Sequence, residues 1–304
     1  MRLVDATALS RLLPIAAAIA AIEEGFRAPV RPDVPLRTAL PVGTGSLLVM
    51  PAVAGRTAGV KLVTVDPANP GRGLPLVGGI YVLFDAETLQ PRAVIDGPAL
   101  TAVRTSAVSA LATRHLARPE SRRLLLVGAG VQARAHLHAI RSVLEIEEVL
   151  VAGRDPGRVA ALVAEARELG LAAAAASPVD TPHAEVICLC TTSDRPVLDG
   201  SQVAPGTHVN AVGAYRPNAR ETDDALVRQA RIVVEDRAAA LAEAGDLRIP
   251  IDAGVVTTDA VVADLWELVG GARVRRSDED VTLFKSVGLG YEDLLVASAA
   301  LAAG

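Results

Sequence analysis

The sequence predicts an α/β protein in which a doubly wound parallel sheet is combined with a second, α+β domain. In the middle of the chain, short apolar strands alternate with helical segments, which is typical of parallel strands joined by crossover helices. In the first third, Pro and Gly are frequent and strands follow one another through turns, which indicates an antiparallel or mixed sheet. A length of 304 residues corresponds to about two domains.

The first domain is predicted to begin with a helix over residues 5–25, because a capping residue precedes it, apolar residues recur at helical spacing and Gly25 ends it. Runs rich in Val, Leu and Tyr then predict four strands, at 46–49, 60–65, 79–84 and 93–95. A second helix is predicted over 100–116, before the next proline.

The second domain is predicted to alternate strands with helices. The strands are expected at 124–127, 148–152, 186–190, 209–212 and 232–234, with helices from the end of the first strand to about 144 and over 155–169. The tail is predicted to be mostly helical, over 259–269 and 290–302, with a loop over 280–288.

A glycine-rich motif lies at the first strand-to-helix turn of this second domain. Gly128-Ala129-Gly130-Val131-Gln132-Ala133 has the context that a G-x-G-x-x-G/A fingerprint requires, a strand before it and a helix after it. The first glycine permits the tight turn, the second lets the backbone approach a pyrophosphate, and the small Ala133 lets the helix pack on the strand. Free N–H groups at the helix N-terminus favour phosphates. The motif predicts a Rossmann-type dinucleotide-binding domain.

The end of the next strand indicates which dinucleotide is bound. A site selective for NAD usually carries Asp or Glu there, but this chain has Gly153-Arg154, with Arg158 one helical turn further on. An arginine fork pairs with a 2′-phosphate and stacks on adenine, so we expect NADP(H) as cofactor, with NAD(H) less favoured. The alternative is that Arg154 only caps the loop in solvent.

Composition and charge exclude other classes of function. A net charge of −5 offers no basic surface for nucleic acid or an anionic membrane. Two cysteines, Cys188 and Cys190, fit a reducing cytoplasm, and no ligand-type residues are spaced around them, so no metal is expected. The apolar run over 12–22 is too short to span a bilayer and lacks a cleavage site. We therefore expect a cytoplasmic protein with a small-molecule substrate.

Lysine is rare in this chain: of 30 basic residues, only Lys61 and Lys285 are lysines. Because the chain uses arginine elsewhere, a lysine indicates a position where a compact ammonium is needed. Lys61, Arg37 and Arg104 lie outside the dinucleotide-binding segment, in or near apolar strand and helix patterns, where burial of a charge requires an anionic partner. A substrate carboxylate would be such a partner, although a solvated charge or an internal ion pair is the alternative at each position.

Further motifs lie in order along nearly the whole chain. They are Met50-Pro51-Ala52, Lys61-Leu62-Val63, Leu100-Thr101-Ala102-Val103-Arg104-Thr105, the Gly128 fingerprint with Gln132, Asn210-Ala211-Val212-Gly213-Ala214, Arg220-Glu221 with Asp223, Glu243-Ala244-Gly245-Asp246 and Thr282-Leu283-Phe284-Lys285-Ser286-Val287-Gly288. On these motifs the sequence resembles the ornithine cyclodeaminase/mu-crystallin family. The resemblance implies a homodimer whose subunits have a substrate and dimerisation domain, residues 1–116 with 289–304, and a Rossmann domain over 117–288.

The resemblance also implies roles for individual residues. Arg37, Lys61 and Arg104 match positions that hold the substrate carboxylate, and Val287 is a further expected substrate contact. Positions expected near the dinucleotide are Thr105, Val131, Gln132, Arg154, Thr192, the stretch from Val209 to Val212, and Ser286, with Lys285 beside them.

One departure from the family pattern bears on the reaction. Cyclodeaminases of the family carry an acid/base aspartate where this sequence has Tyr215, and a phenol of ordinary pKa near about 10 is a poor substitute for a carboxylate base at neutral pH. Gly-Ala-x-Arg-Pro followed by Arg-Glu-x-Asp-Asp is more similar to the imine-reducing branch, which includes ketimine reductases and Δ1-pyrroline-2-carboxylate reductases.

The resulting hypothesis is NADPH-dependent reduction of a cyclic imine carboxylate to the L-amino acid. The candidate catalytic residues are Lys61, which could share a proton with the imine, Arg104, and Tyr215, as a hydrogen-bond donor or only an aromatic wall. The alternatives are ornithine cyclodeaminase or amino-acid dehydrogenase activity, and a small-molecule binding protein of the mu-crystallin type that keeps NADPH as a structural cofactor.

Overall fold

The computed structural model describes residues 1–303, and the side chains of all of these except residues 178–180. The chain forms two compact units. The first consists of residues 1–104 together with the C-terminal segment from Leu289 onward, and the second of residues 105–288.

The first unit is built on a six-stranded mixed sheet. Its strands are β1 (Arg2–Val4), β2 (Thr38–Val42), β3 (Gly45–Ala54), β4 (Thr57–Val65), β5 (Val77–Asp85) and β6 (Pro91–Asp96), and its helices are α1 (Ala6–Leu12), α2 (Ile15–Arg27), the first part of α3 (Gly97–Leu116) and α10 (Gly290–Ala302). The strand order is β1-β6-β5-β4-β3-β2, with β1 parallel to β6 and the remaining neighbours antiparallel, so the predicted mixed sheet is confirmed.

Helix α10 packs against α2 and against strands β3, β4 and β5. The approach to β3 is close, since a Cβ at Gly290 would lie 2.7 Å from the backbone oxygen of Pro51. Only glycine fits at this position, and the next turn of α10 is thereby held against the sheet.

The N-terminal helix differs from the prediction. The single helix expected over residues 5–25 is wrong, because the chain forms α1 and α2 with a break at Leu13-Pro14. Proline has no N–H to donate and its ring clashes with the preceding turn, so it ends one helix and stands at the N-cap of the next. The short edge strands β1 and β2 were not predicted.

The second unit is an eight-stranded parallel sheet with helices connecting the strands. The strands are β7 (Arg123–Val127), β8 (Glu148–Ala152), β9 (Ala172–Ala175), β10 (Val186–Leu189), β11 (His208–Ala211), β12 (Arg231–Val234), β13 (Val261–Asp264) and β14 (Thr282–Lys285), and the helices, besides the second part of α3, are α4 (Val131–Arg141), α5 (Pro156–Glu168), α6 (Asp224–Gln229), α7 (Arg237–Glu243), α8 (Gly245–Asp252) and α9 (Leu265–Val269). The order β13-β12-β14-β11-β10-β7-β8-β9 reverses direction between β7 and β10, so the sheet is doubly wound as predicted.

Two predictions for the tail are wrong. Residues 280–288, expected to be a loop, contain β14, which lies inside the sheet between β11 and β12. The helix expected over 259–269 is divided into β13 and α9, because the side chain of Asp264 caps the backbone N–H of Glu267 and starts a new helix there.

The first unit boundary lies inside α3, between Arg104 and Thr105, rather than at the end of that helix where the sequence placed it. The second part of α3 is fixed to the parallel sheet, since Asn210 donates a hydrogen bond of 2.9 Å to Thr113 Oγ1. On the preceding turn, Ser109 Oγ lies 2.9 Å from His136 Nε2.

Among the described residues, no single helix combines the length and apolar composition needed to cross a membrane. Only α1 and α2 together satisfy that test, and they are bent by 74° at their break.

Candidate functional site

A groove opens at the carboxyl ends of β7, β8 and β10 in the second unit. Its cavity volume is about 620 Å³, within the usual range for small-molecule sites. It is lined by Val127, Gly128, Ala129, Gly130, Ala152, Gly153, Arg154, Asp155, Arg158, Ala176, Ser177, Cys190, Thr191, Thr192, Ser193 and Val197. The groove includes the point where the strand order reverses, which is where open α/β sheets bind their ligands.

The two fingerprint glycines are required for different reasons. Gly128 has φ +112°, and a Cβ there would lie 2.5 Å from the backbone oxygen of Cys190, just after the neighbouring strand β10, so the protein itself excludes a side chain. A Cβ at Gly130 would meet no atom of the described residues within 4 Å, so this glycine serves a ligand rather than the protein's own packing. Helix α4 begins at this glycine without a side-chain cap, which leaves backbone N–H groups for a pyrophosphate. The residues present therefore fit a dinucleotide.

The side of the groove formed after β8 is basic. Arg154 and Arg158 line it together with Ser177. The one carboxylate beside them in the described lining, Asp155, caps helix α5: its Oδ1 accepts from the N–H groups of Gly157 at 3.0 Å and Arg158 at 3.1 Å, and its Oδ2 lies 3.4 Å from Arg158 Nε.

Six of the predicted cofactor residues line the groove: Gly128, Gly130, Gly153, Arg154, Arg158 and Thr192. The other six lie elsewhere in the unit. Val131, which is 70% exposed, and Gln132 lie in the first turn of α4, and Thr105 and Ser286 are buried. Val209 is fully buried within β11, and Val212 directly follows that strand. Sequence reasoning missed Asp155, Ser177, Cys190, Thr191, Ser193 and Val197. Only their position in the sequence could have indicated them, because they follow the carboxyl ends of parallel strands, where such sheets bind ligands.

The first unit contains a cluster of buried charged side chains. Lys61 on β4 is 1% exposed and Arg104 on α3 is 5% exposed. Lys61 Nζ donates to Asp293 Oδ1 at 2.9 Å and lies 2.8 Å from its Oδ2, and Arg104 Nε donates to the same Oδ1 at 3.2 Å. Arg104 also donates from Nη1 to Glu292 Oε2 at 3.1 Å. Two of the three predicted substrate-binding cations thus meet at the carboxylate of Asp293, and Arg104 also contacts the adjacent Glu292 on α10.

The ammonium of Lys61 is in an unusual electrostatic environment. Burial, the neighbouring Arg104 and the more weakly felt Arg37 lower its pKa, while Asp293 raises it, and the result is a pKa of about 8. Near neutral pH the group is therefore charged but close to its titration range, as a group that exchanges protons must be.

Tyr81 is a further buried polar residue of this unit that sequence reasoning missed. It lies opposite Lys61 in the antiparallel pairing of β4 with β5, and its hydroxyl has no hydrogen-bond partner among the described residues. Burial and the charge of Asp293 raise its pKa.

The second lysine has a different environment. Lys285 Nζ donates to the backbone oxygens of Ala211 at 3.2 Å and Ala214 at 2.6 Å, and lies 2.8 Å from Asp246 Oδ2. Three oxygens therefore surround its three N–H donors, and the side chain is fully buried. Lys285 fixes the segment that carries Tyr215, which is half-buried directly after Ala214.

Val287, the remaining predicted substrate contact, lies just before the boundary between the units. Its N–H and that of Gly288 each donate to Glu235 Oε2 at 2.8 Å, and Ser286 Oγ donates to Glu235 Oε1 at 2.6 Å. Buried Glu235 thus fixes the end of β14 and the turn after it.

Cys188 is buried within β10 and Cys190 follows that strand. Burial raises the pKa of the Cys188 thiol to about 12, so it stays protonated. Within the described part of the chain, no group of His, Cys, Asp and Glu side chains could hold a metal ion.

The doubly wound sheet and its glycine-lined groove define a dinucleotide-binding protein of the Rossmann class. A family model for the ornithine cyclodeaminase/mu-crystallin family matches residues 2–301. The chain belongs to that family, as its motifs predicted.

Known relatives support the same assignment. The Δ1-pyrroline-2-carboxylate reductase of Paracoccus denitrificans is 38% identical over 260 residues, which cover 84% of this chain and 82% of the relative. A structure of the Thermococcus litoralis Δ1-pyrroline-2-carboxylate reductase in complex with NADH and L-proline has a TM-score of 0.96 and 35% identity, and covers 100% of this chain and 97% of that one. An archaeal alanine dehydrogenase dimer with bound NAD has a TM-score of 0.95 and 31% identity, with coverage of 100% and 95%. The predicted fold and the predicted enzyme class, an NAD(P)H-dependent oxidoreductase, are confirmed.

Proposed function

We propose that this enzyme reduces a cyclic imine carboxylate, such as Δ1-pyrroline-2-carboxylate or Δ1-piperideine-2-carboxylate, to the L-amino acid with NADPH. The observation that carries the proposal is the hydrogen bonding of the Lys61 ammonium. Among the described residues only Asp293 hydrogen-bonds its ammonium, which has three N–H donors, so donors remain for a substrate carboxylate. Lys285, by contrast, donates to two backbone carbonyl oxygens and lies 2.8 Å from Asp246 Oδ2.

The proposed roles follow from these positions. Lys61, Arg104 and Arg37 hold the substrate carboxylate, and a fixed near-attack geometry lowers the barrier by several kcal/mol. When bound, the reduced nicotinamide supplies a hydride to the imine carbon while the nitrogen takes up a proton, so that C=N becomes CH–NH. A protonated imine accepts hydride more readily than a neutral one, and Lys61, with a pKa of about 8, is suited to share that proton. The names of the reductase relatives support this reaction.

The direct test is NADPH oxidation by the purified enzyme with Δ1-pyrroline-2-carboxylate, Δ1-piperideine-2-carboxylate, and pyruvate with ammonia or amines. We expect turnover with one of the two cyclic imines. Turnover confined to pyruvate with ammonia would identify an amino-acid dehydrogenase, and ammonia release from ornithine a cyclodeaminase. Tight binding of small molecules without NADPH oxidation would identify a binding protein of the mu-crystallin type.

The preference for NADPH is a proposal supported by the basic side of the groove. Relatives of known structure contain NADH or NAD. In this chain, however, Arg154 and Arg158 line the groove, and the carboxylate of Asp155 is engaged in capping α5. A guanidinium at this position pairs with a 2′-phosphate, and Oδ1 of Asp155, the one carboxylate of the described lining, already accepts two backbone N–H groups of α5.

Arg154→Gln should lower kcat/KM for NADPH by about 10- to 100-fold, which corresponds to the loss of one or two charge-assisted hydrogen bonds. The kcat/KM for NADH should change little. Steady-state kinetics with both cofactors measures the ratio. Arg134→Gln is the matched control, because Arg134 pairs with Glu165 and does not line the groove. An unchanged NADPH to NADH ratio in Arg154→Gln, or a wild-type preference for NADH, would contradict the proposal.

We further propose a homodimer formed through the first unit. Strand β2 ends the six-stranded sheet and is exposed at all its positions, including Leu40 at 48% and Val42 at 62%. The exposed apolar side chains of this edge strand form a surface that association of two subunits would cover. The mass of the enzyme in solution tests this, and a monomer would contradict it.

A further inference from the structure

We propose that Asp293 is the positioning residue of the substrate site: it holds Lys61 and Arg104 together and keeps the Lys61 ammonium charged to receive the substrate. This inference rests on the proposed function, because it concerns the cations to which that function assigns the substrate carboxylate. Asp293 itself is fully buried and acts through the two cations rather than on the substrate.

The geometry supports a positioning role. Lys61 comes from β4, Arg104 from α3 and Asp293 from the first turn of α10, so three separate elements meet at one carboxylate. The two cations would repel each other in a buried site, and Asp293 Oδ1 accepts from both of them. Helix α10 is held against β3 at Gly290, three residues earlier in the chain, which fixes the carboxylate over the sheet.

The charges around Lys61 determine the sign of the effect. Tyr81 on β5 lies opposite Lys61, and the charged groups that act on its ammonium are Arg104 on α3, Asp293 on α10 and Arg37 before β2, while Glu292 of α10 contacts Arg104. The two arginines disfavour the ammonium, as does burial, and Asp293 is the anion that favours it. Loss of the Asp293 charge should therefore lower the pKa of Lys61 further, by about 1 unit or more, so that about half or more of the amine is neutral at pH 7.

Glu292 provides a matched control. It is the adjacent residue on the same helix, is equally buried and also contacts Arg104, but the carboxylate that hydrogen-bonds Lys61 is that of Asp293. Its Oε2 accepts from the N–H of Leu289 at the start of α10, and glutamine retains an oxygen for that bond. Glu292→Gln and Asp293→Asn thus both remove a buried charge beside Arg104, and only Asp293→Asn removes the charged partner of Lys61.

The rarity of lysine makes a direct measurement practical. Enzyme labelled with ¹⁵N at the lysine Nζ gives signals from two side chains, Lys61 and Lys285, and the variant Lys61→Arg assigns them. We would titrate the Lys61 signal in the wild type, Asp293→Asn and Glu292→Gln, and record the pH profile of kcat/KM and of L-proline binding for the same three proteins.

The expected result is a Lys61 that is protonated at pH 7 in the wild type and titrates near pH 8. In Asp293→Asn the titration and the basic limb of both profiles should move to lower pH by about 1 unit or more, with activity partly regained at acidic pH. In Glu292→Gln the limb should stay within about half a unit of the wild type.

The inference would be overturned if the basic limb of the Asp293→Asn pH profile stayed at the wild-type pH. It would also be overturned if that limb shifted equally in Asp293→Asn and Glu292→Gln. If Asp293→Asn does not fold, the wild-type titration decides, because a neutral Lys61 at pH 7 excludes the role. If the wild type reduces no imine, the proposed function fails, and the Lys61 titration still tests the role of Asp293.

Discussion

Lys61→Met should lower kcat/KM for imine reduction by about 10²- to 10⁴-fold, the usual contribution of a positioned proton-sharing group. Methionine has a similar length and suits a buried site, but it supplies neither charge nor proton. In the proposed mechanism the substrate carboxylate would then meet Arg104 and Arg37 without Lys61, and the imine nitrogen would lose its proposed proton source. The measurement is initial-rate NADPH oxidation at several pH values, with kcat and KM resolved.

Binding of NADPH provides the internal control for this variant. The described residues that line the groove all belong to the second unit, so Lys61→Met should bind NADPH with unchanged affinity in a fluorescence titration. Asp293 keeps its hydrogen bond from Arg104, so the loss of Lys61 does not leave that buried carboxylate without a cation. Activity within about threefold of the wild type would remove Lys61 from the chemistry, since even a modest acid–base role exceeds that factor.

The parts of the fold that depend on local chemistry could be predicted from the sequence. The turn at Gly128 was one of these, because a left-handed backbone next to another strand leaves glycine as the only choice. The strand β14 could not be predicted, because Thr282–Lys285 is short and ends in a lysine. What makes it a strand is its place between β11 and β12, a tertiary property that no local pattern contains.

The same limit applies to the site. The three cations could be identified by their residue type and their apolar surroundings, and the two that the structure buries, Lys61 and Arg104, lie together. Their partner Asp293 was missed because it is separated from Lys61 by 232 residues and lies in a helix that resembled an ordinary tail. A buried cation requires an anion, so the existence of a partner could be inferred, but its identity depends on how α10 packs on the sheet.

Both lysines of the chain form buried ion pairs with an aspartate. Lys61 pairs with Asp293 in the first unit and Lys285 with Asp246 in the second, and all four side chains are almost fully buried. The idea that lysine stands where a compact ammonium is needed therefore has a physical basis at both positions. The two differ in their hydrogen bonds, since Lys285 donates to two backbone oxygens whereas Lys61 donates, among the described residues, to Asp293 alone. This difference supports the proposal that Lys61 meets the substrate while Lys285 stabilises the fold.

Lys285→Met should destabilise the second unit by about 3–5 kcal/mol, the usual cost of leaving a buried charge without its partner. Asp246 Oδ1 would still accept from the N–H groups of Glu221 and Thr222, but Oδ2 would lose its cation. The backbone oxygens of Ala211 and Ala214 would lose their donor as well. Thermal unfolding should shift downward by on the order of 10 °C, and calorimetry with bound and free cofactor measures it.

Two further variants separate charge compensation from packing. Arg56→Met removes an exposed pair with Glu87, whose side chains are 84% and 74% exposed, and should change stability by less than about 1 kcal/mol. Adding Asp246→Asn to Lys285→Met should recover part of the lost stability, because the amide keeps an oxygen for its backbone donors and removes the uncompensated charge. A Lys285→Met enzyme as stable as Arg56→Met, or a double variant less stable than the single one, would show that Lys285 does not neutralise Asp246 in the fold.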